Sequence, residues 1–363
     1  MLELKSVGKS VGGETHIRDV SLELTRGSLN VLLGPTLSGK TSLMRLMAGL
    51  DAPTSGTIVM DGKDVTGVPV RQRNVAMVYQ QFINYPALTV YENIASPLRI
   101  QKRPKAEIDE KVRKAAALMK LTDFLDRTPL NLSGGQQQRT ALARALVKDA
   151  ELVLLDEPLA NLDYKLREEL REELPKLFAE TGAIFVYATT EPHEALLLGG
   201  RTATLSEGRI TQFGETAEVY REPRDIVTAR TFSDPPLNIL PVEKRDEEFH
   251  GREGLRFRAS DGQRSLPDGS YKIGIRPHHL SFGTSEASDG LAHLDAVIAI
   301  SEVTGSQSFI HADRGENRIV ALVHGVRRVE PGDRIQLSFD PANCLVFGED
   351  GQTAAAATRP LAA

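Results

Sequence analysis

The chain has 363 residues, with 44 Lys and Arg against 49 Asp and Glu, a net charge of −5 and one cysteine. That length accommodates two domains, and so mild a charge gives no electrostatic case for nucleic acid as a partner. Cys344 alone excludes an intrachain disulfide and fits a reducing compartment, residues 1–20 carry charges throughout and so do not read as a signal peptide, and apolar runs such as residues 152–155 are too short to span a bilayer, so a soluble chain is expected, with any membrane role coming through a partner.

Residues 2–7 alternate in polarity, as a half-buried strand does, and Gly12-Gly13 reads as a hairpin turn. Residues 20–24 alternate again and lead through Arg26-Gly27 to residues 29–33, which read as a buried strand. An antiparallel flap beside a nucleotide would present an aromatic ring to the base. The tip at residues 10–13 has none, and His16 is the nearest flat side chain, which an ordinary exposed histidine explains equally.

Gly34, Pro35, Thr36, Leu37, Ser38, Gly39, Lys40 and Thr41 follow the strand and spell G-x-x-x-x-G-K-T, a phosphate-binding loop. Residues 42–50, opening with Ser42, read as a helix with Leu43, Leu46, Met47 and Leu50 on one face. A helix start offers unpaired N–H groups and a positive dipole end, which suit a triphosphate. Lys40 would reach the β- and γ-phosphates, and the Thr41 hydroxyl would ligate Mg²⁺.

Short strands are expected at residues 57–60 and 74–79. Gln80 at the end of the latter could touch Mg²⁺ or the attacking water, or be a solvated amide. Residues 102–120 read as a charged surface helix. Leu132-Ser133-Gly134-Gly135-Gln136 then opens a second helix: Ser133 is a good N-cap, and the two glycines leave backbone N–H groups bare. A chain with one phosphate loop does not need a second cradle, so the economical expectation is that this one serves a nucleotide held by another subunit.

Residues 151–155 form an apolar strand that ends in Asp156 and Glu157. Asp156 fits the acidic Mg²⁺ position, and Glu157 the general base that polarises water. After a loop at Asn161-Leu162-Asp163, Leu166, Leu170, Leu174 and Leu177 mark a helical stripe with the charges on the solvated face, and Pro175 should kink that helix. Residues 183–188 read as a buried strand running into Thr189-Thr190-Glu191-Pro192, and residues 202–212 as a hairpin around Glu207-Gly208.

The phosphate loop, Gln80, residues 132–136, Asp156-Glu157 and residues 161–163 occur in the order and spacing of ABC transporter ATPases, and the Leu-Ser-Gly-Gly-Gln signature is highly specific to that family. The chain resembles the subfamily that drives bacterial carbohydrate importers of the maltose and glycerol-phosphate type, over residues 1–235. The stretch at residues 82–94 resembles that subfamily's contact for the membrane subunits. Residues 34–40 and 188–192 resemble one of the two ATPases of glycerol importers. From residue 236 to 363, short strands separated by Gly, Pro and Asp turns resemble the small OB-like β-barrel domain of those ATPases, through Gly274-Ile275-Arg276-Pro277 and Pro331-Gly332-Asp333.

The resemblance implies an α/β P-loop NTPase domain with a helical subdomain, an OB-like C-terminal domain, and ATP and Mg²⁺ at the site. It implies two permease subunits, a second ATPase subunit (a different chain or another copy of this one) and, indirectly, a solute-binding protein, at the cytoplasmic face of the bacterial inner membrane. In the family, two such subunits sandwich ATP between one phosphate loop and the other chain's signature. Two departures stand out. The family's γ-phosphate His is replaced by Thr190, and the adenine-stacking aromatic by Val11. A mechanical ATPase outside transport, or a regulatory subunit that holds ATP with little hydrolysis, stays open at this point.

Overall fold

A computed structural model describes residues 1–160, 162–282 and 290–357, without the side chains of Leu177, Ala179 and Glu180. The sequence-read positions Asn161 and the Leu177 side chain therefore lie outside the described residues. Two compact units divide the chain, residues 1–216 and 217–363.

In the first unit, β1 (Leu2–Val11) and β2 (Glu14–Leu24) form the flap hairpin, and β4 (Ser55–Met60) and β5 (Lys63–Asp64) extend its sheet in the order β2-β1-β4-β5. A second sheet holds β3 (Leu29–Leu33), β6 (Val75–Val78), β7 (Leu152–Asp156), β8 (Ile184–Thr189), β9 (Arg201–Ser206) and β10 (Arg209–Glu215). Its order is β10-β9-β3-β8-β7-β6, parallel except for the edge strand β10. β7 and β8 are buried at every residue, which is why they read as continuous apolar runs rather than alternating ones. In this arrangement the carboxyl ends of β3, β6, β7 and β8 open on one edge, where α/β sheets bind ligands.

Helix α1 (Lys40–Ala48) starts two residues before the sequence pattern placed it and ends at Gly49, whose φ of 75° closes the helix in the left-handed region. Leu43, Met44, Leu46 and Met47 bury its inner face, and Leu50, beyond the cap, packs only partly. The helical layer contains α2 (Val90–Ile100), α3 (Lys105–Leu118) and α4 (Gly134–Leu146). α2 was hidden in the sequence by Pro97. The carbonyl of Asn93, which an N–H at position 97 would have taken, instead accepts from Ser96 Oγ at 2.8 Å.

Helix α5 (Tyr164–Thr181) runs through Pro175 without ending there. Leu166, Leu170 and Leu174 are buried as the stripe requires, and Phe178 continues it, its ring stacked 3.9 Å from that of Phe185. One expectation for α5 fails: its charges are not all on the solvated face, since Arg171 is only 8 % exposed. The cause is a set of carboxylates from α5 itself and from α6 (Pro192–Leu198), described below.

The second unit starts within α7 (Thr216–Arg221) and continues with α8 (Ile226–Thr231), neither evident in the sequence. The division at residue 216 thus precedes the change of sequence character after Asp234. Ala229 of α8 shares a small core with Leu237, Leu345 and Phe347, and Thr353 N donates to Arg224 O at 2.9 Å, which ties these helices to the strands that follow them. The strands form two antiparallel sheets. One runs Arg256–Arg258, Glu248–Gly251, Asn238–Arg245, Gly269–Ile275, Leu345–Phe347, Thr353–Ala355. The other runs Ser281–Phe282, Arg334–Phe339, Ala292–Val303, Gln307–Arg314, Asn317–His324. Both contribute to one core that includes Phe249, Ile273, Leu294, Ile310 and Phe339.

Candidate functional site

The loop between β3 and α1 is shaped by its glycines. Gly39 has φ 106°, and a Cβ there would come within 3.1 Å of His16 O, so only glycine fits without strain. A Cβ on Gly34 would stand 2.5 Å from Leu205 O. Gly39 caps α1 with no side-chain bond, which leaves the first-turn N–H groups of α1 to a ligand. Lys40 is 6 % exposed and donates to Gly34 O at 2.7 Å and Pro35 O at 3.0 Å. Burial lowers its pKa, and the nearby charges of Glu157 and Asp156 oppose that shift. Ser38 Oγ is buried and has no hydrogen-bond partner among the described residues. An unpaired polar atom under a phosphate loop is the kind of vacancy that an anionic ligand relieves.

β7 delivers the acidic pair to the same place. Thr41 Oγ1 donates to Asp156 Oδ2 at 2.7 Å, and Asp156 is buried, which raises its pKa against the Thr41 bond and Lys40. Glu157 turns off the strand with φ 45° and is held by its N–H to Ala188 O at 3.0 Å. Its pKa is raised, by burial first, with Lys40 opposing and Asp156, Glu194 and Glu191 adding to the rise. Gln80, exposed beyond β6, donates from Nε2 to Glu157 Oε2 at 3.0 Å. A cleft of about 570 Å³ is lined by residues that include Thr36, Lys40, Thr41, Gln80, Glu157 and Thr190, together with His16 and Gly208.

Ser133, Gly134, Gly135 and Gln136 are not brought to this cleft. They form the start of α4, where Gln136 N donates to Ser133 Oγ at 3.3 Å and Ser133 N to Gln136 Oε1 at 2.9 Å, a reciprocal capping box. A Cβ on Gly134 would meet nothing closer than Phe82 at 3.8 Å, so that face of the helix start is open. Val11 is 55 % exposed and absent from the cleft lining, whereas His16 is part of it.

The ABC transporter family model matches residues 17–160, and the TOBE domain model matches residues 273–347. The trehalose/maltose import ATP-binding protein of Thermococcus litoralis is 36 % identical over 95 % of this chain and 97 % of its own length. The chain belongs to the ABC transporter family. The sn-glycerol-3-phosphate import ATP-binding protein of Paracoccus denitrificans is 35 % identical over 95 % of this chain and 96 % of its own. A solved dimeric ATP-binding cassette in a post-hydrolysis state, bound to ADP and Pi, is 30 % identical with a TM-score of 0.55, covering 60 % of this chain and 99 % of that one. This ABC protein is an ATPase with the fold expected of it, an α/β nucleotide-binding unit followed by a β-rich TOBE unit.

Two features of the ABC ATPase unit escaped the sequence. One is the role of Asn93, fully buried in α2, which donates to Tyr85 O, Leu88 O and Thr89 O at 2.9–3.1 Å and accepts from Tyr85 N at 2.8 Å. It fixes a loop that exposes Ile83 and Tyr85, with the Arg144 guanidinium 5.0 Å from the Tyr85 ring centre. The other is the set around Glu194, 5 % exposed in α6. Arg171 Nη2 donates to Glu194 Oε1 at 2.8 Å, while Glu194 Oε2 accepts from Thr189 Oγ1 at 2.6 Å and Tyr187 OH at 3.2 Å. No spacing rule joins residues 171, 187 and 194 before the chain folds.

Proposed function

We propose that this chain is the ATP-hydrolysing subunit of an importer for a carbohydrate or polyol, glycerol and its phosphate included, working at the cytoplasmic face of a bacterial inner membrane. The observation that carries it is the meeting of Thr41, Asp156, Glu157 and Gln80 at the mouth of the phosphate loop, in a chain alike over nearly its whole length to importer subunits. Gly34 to Ser42 cradle the triphosphate, with Lys40 leaving its two loop carbonyls for the β- and γ-phosphates. Glu157, its raised pKa keeping it a competent base, takes the proton of the attacking water, and Gln80 holds that carboxylate and the water in line.

Thr41 Oγ1 and Asp156 Oδ2, hard oxygens 2.7 Å apart, together with the Gln80 amide oxygen, suit Mg²⁺, which takes one or two carboxylates and fills its shell with phosphate and water. Among the described residues no group of three or more His, Cys, Asp or Glu is placed to hold a metal ion by itself, and this ion needs none. Bound there, it would offset phosphate charge. The exposed Ile83–Tyr85 surface fits the permease subunits, and no described helix is long and apolar enough to cross a membrane itself. Ser133, Gly134, Gly135 and Gln136 act on a nucleotide held by a second ATPase subunit. A solute-binding protein would act only indirectly, through the permeases. Deleting the gene should abolish uptake of one solute among labelled glycerol, glycerol 3-phosphate and maltose, with rescue by the native chain but not by Gly135→Asp. Unimpaired uptake of every such solute would refute the assignment.

Thr190 favours a refinement: the partner is a different, intact ATPase subunit. A lost polar contact to the transition state commonly costs about a hundredfold in rate. This chain's signature, completing the partner's site, then matters more than its own loop. In the reconstituted transporter Gly135→Asp should remove most hydrolysis and Lys40→Ala should leave a substantial fraction. Equal losses would point to a homodimer.

A further inference from the structure

Arg171 is buried against three carboxylates. Besides Glu194, its guanidinium donates to Glu168 Oε1 at 2.5 Å and to Glu191 Oε2 at 3.1 Å. Such an arrangement is a poor source of net stability, because desolvation of the charges offsets much of their attraction, and apolar replacements often do as well. What it supplies is geometric. Glu194 Oε2 fixes Thr189 Oγ1, and Thr189 Oγ1 in turn accepts from Glu191 N at 3.0 Å, so both residues flanking Thr190 are tied down. The backbone at the same point holds the rest of the site. Thr189 O accepts from Gly34 N at 3.4 Å and Ala188 O from Glu157 N at 3.0 Å. β8 lies between β3 and β7, with Thr189 opposite Leu33 and Ala188 opposite Asp156. One strand end therefore sets the first residue of the phosphate loop, the general base and the Thr190 turn.

We propose that Arg171 and Glu194 are positioning residues for ATP hydrolysis, clamping the carboxyl end of β8 so that Gly34, Thr190 and Glu157 face the nucleotide in one register. This rests on the reading that the chain's own phosphate loop and Glu157 hydrolyse ATP. Neither residue lines the cleft; they act through Thr189, and Glu194 also adds to the rise of the Glu157 pKa. The clamp also supplies what the missing histidine leaves open, since Thr190 has no ring to bridge to the phosphate and depends on its anchored neighbours for its place.

The test uses the assembled transporter, with turnover read as the portion that Glu157→Gln removes. Thr189→Val keeps the side-chain shape and deletes only the hydroxyl between Glu194 and the strand. It should lower kcat about tenfold, equivalent to about 1.4 kcal/mol, because displacement of reacting groups by about 1 Å costs up to a hundredfold. KM for ATP should stay within about twofold, since Lys40 and Thr41 are untouched. Thr189→Ser, which restores the hydroxyl, should recover most of kcat. Glu194→Gln should also lower kcat, and the double variant with Thr189→Val should be no slower than the slower single one, because both break the same chain of contacts. Arg171→Met is a further variant, but one that could fail to fold. Unchanged kcat in Thr189→Val, additive losses in the double variant, or losses that only follow the melting temperature would overturn the positioning role. Full turnover in Glu157→Gln would instead remove the underlying reading, and the proposal with it.

Discussion

Replacing Gly39 by alanine tests the phosphate loop through its backbone. At φ 106° and ψ 3° an L-residue is outside its comfortable regions, and such strain costs about 1–3 kcal/mol. The new Cβ would also meet Ile17 Cδ1 at 3.0 Å, His16 O at 3.1 Å and Gly208 Cα at 3.3 Å. Ile17 can yield, whereas the two backbone neighbours belong to paired segments, which adds on the order of 1 kcal/mol of overpacking. A loss of about 2–4 kcal/mol in a unit of this size lowers its melting temperature by roughly 4–16 °C. The larger effect should be on nucleotide. Native protein at 100 times the dissociation constant gains about 2.7 kcal/mol from ligand, and Gly39→Ala should lose nearly all of that, because relieving the contacts moves the N–H groups at the start of α1. Differential scanning fluorimetry with and without ATP measures both numbers. Gly12→Ala is the control. Its φ of 58° lies in the ordinary left-handed region and nothing stands within 4 Å of the new carbon, so a cost of about 1 kcal/mol and an intact ATP shift are expected. An unaltered ATP shift in Gly39→Ala would refute the argument that this backbone position builds the cradle.

Asp156→Asn should leave the nucleotide-free protein as stable as the native one or more so at neutral pH, since burial already disfavours its charge, while Mg²⁺-dependent ATP binding falls at least tenfold; thermal melts and titration calorimetry check the two halves. Asp61, held down to about 2 by Arg26 and then the N-terminal amine, contributes stability that is present above the ordinary carboxylate pKa and lost as pH falls through about 2. Because the pair is exposed and screened, Asp61→Asn should cost under about 1 kcal/mol at pH 7, and the difference should vanish near pH 2 in denaturant titrations.

The legible parts of this molecule are those that local chemistry dictates. Residues 29–33 are mostly apolar because β3 is flanked by β8 and β9, and Gly39 reads as part of a loop because its φ of 106° strains any other residue. Asp156 and Glu157 stood out by following a buried run. Arg171 and Glu194 did not, since a charge on a helix ordinarily faces water and their mutual pairing spans 23 residues of sequence. α2 was obscured by Pro97, whose cost is covered by a bond from Ser96 that no pattern announces. His16 remained ambiguous until the hairpin turn at Gly208 packed on its backbone and placed it at the cleft.

The start of α4 lies outside the cleft that the start of α1 helps to line, and this has a kinetic consequence. If a complete site needs both, turnover by chains free in solution scales with the square of their concentration and fades on dilution. Docked side by side on a shared membrane scaffold, the same chains would meet at an effective concentration on the order of millimolar, whatever their abundance. Activity would then report assembly, and unassembled copies would consume little ATP.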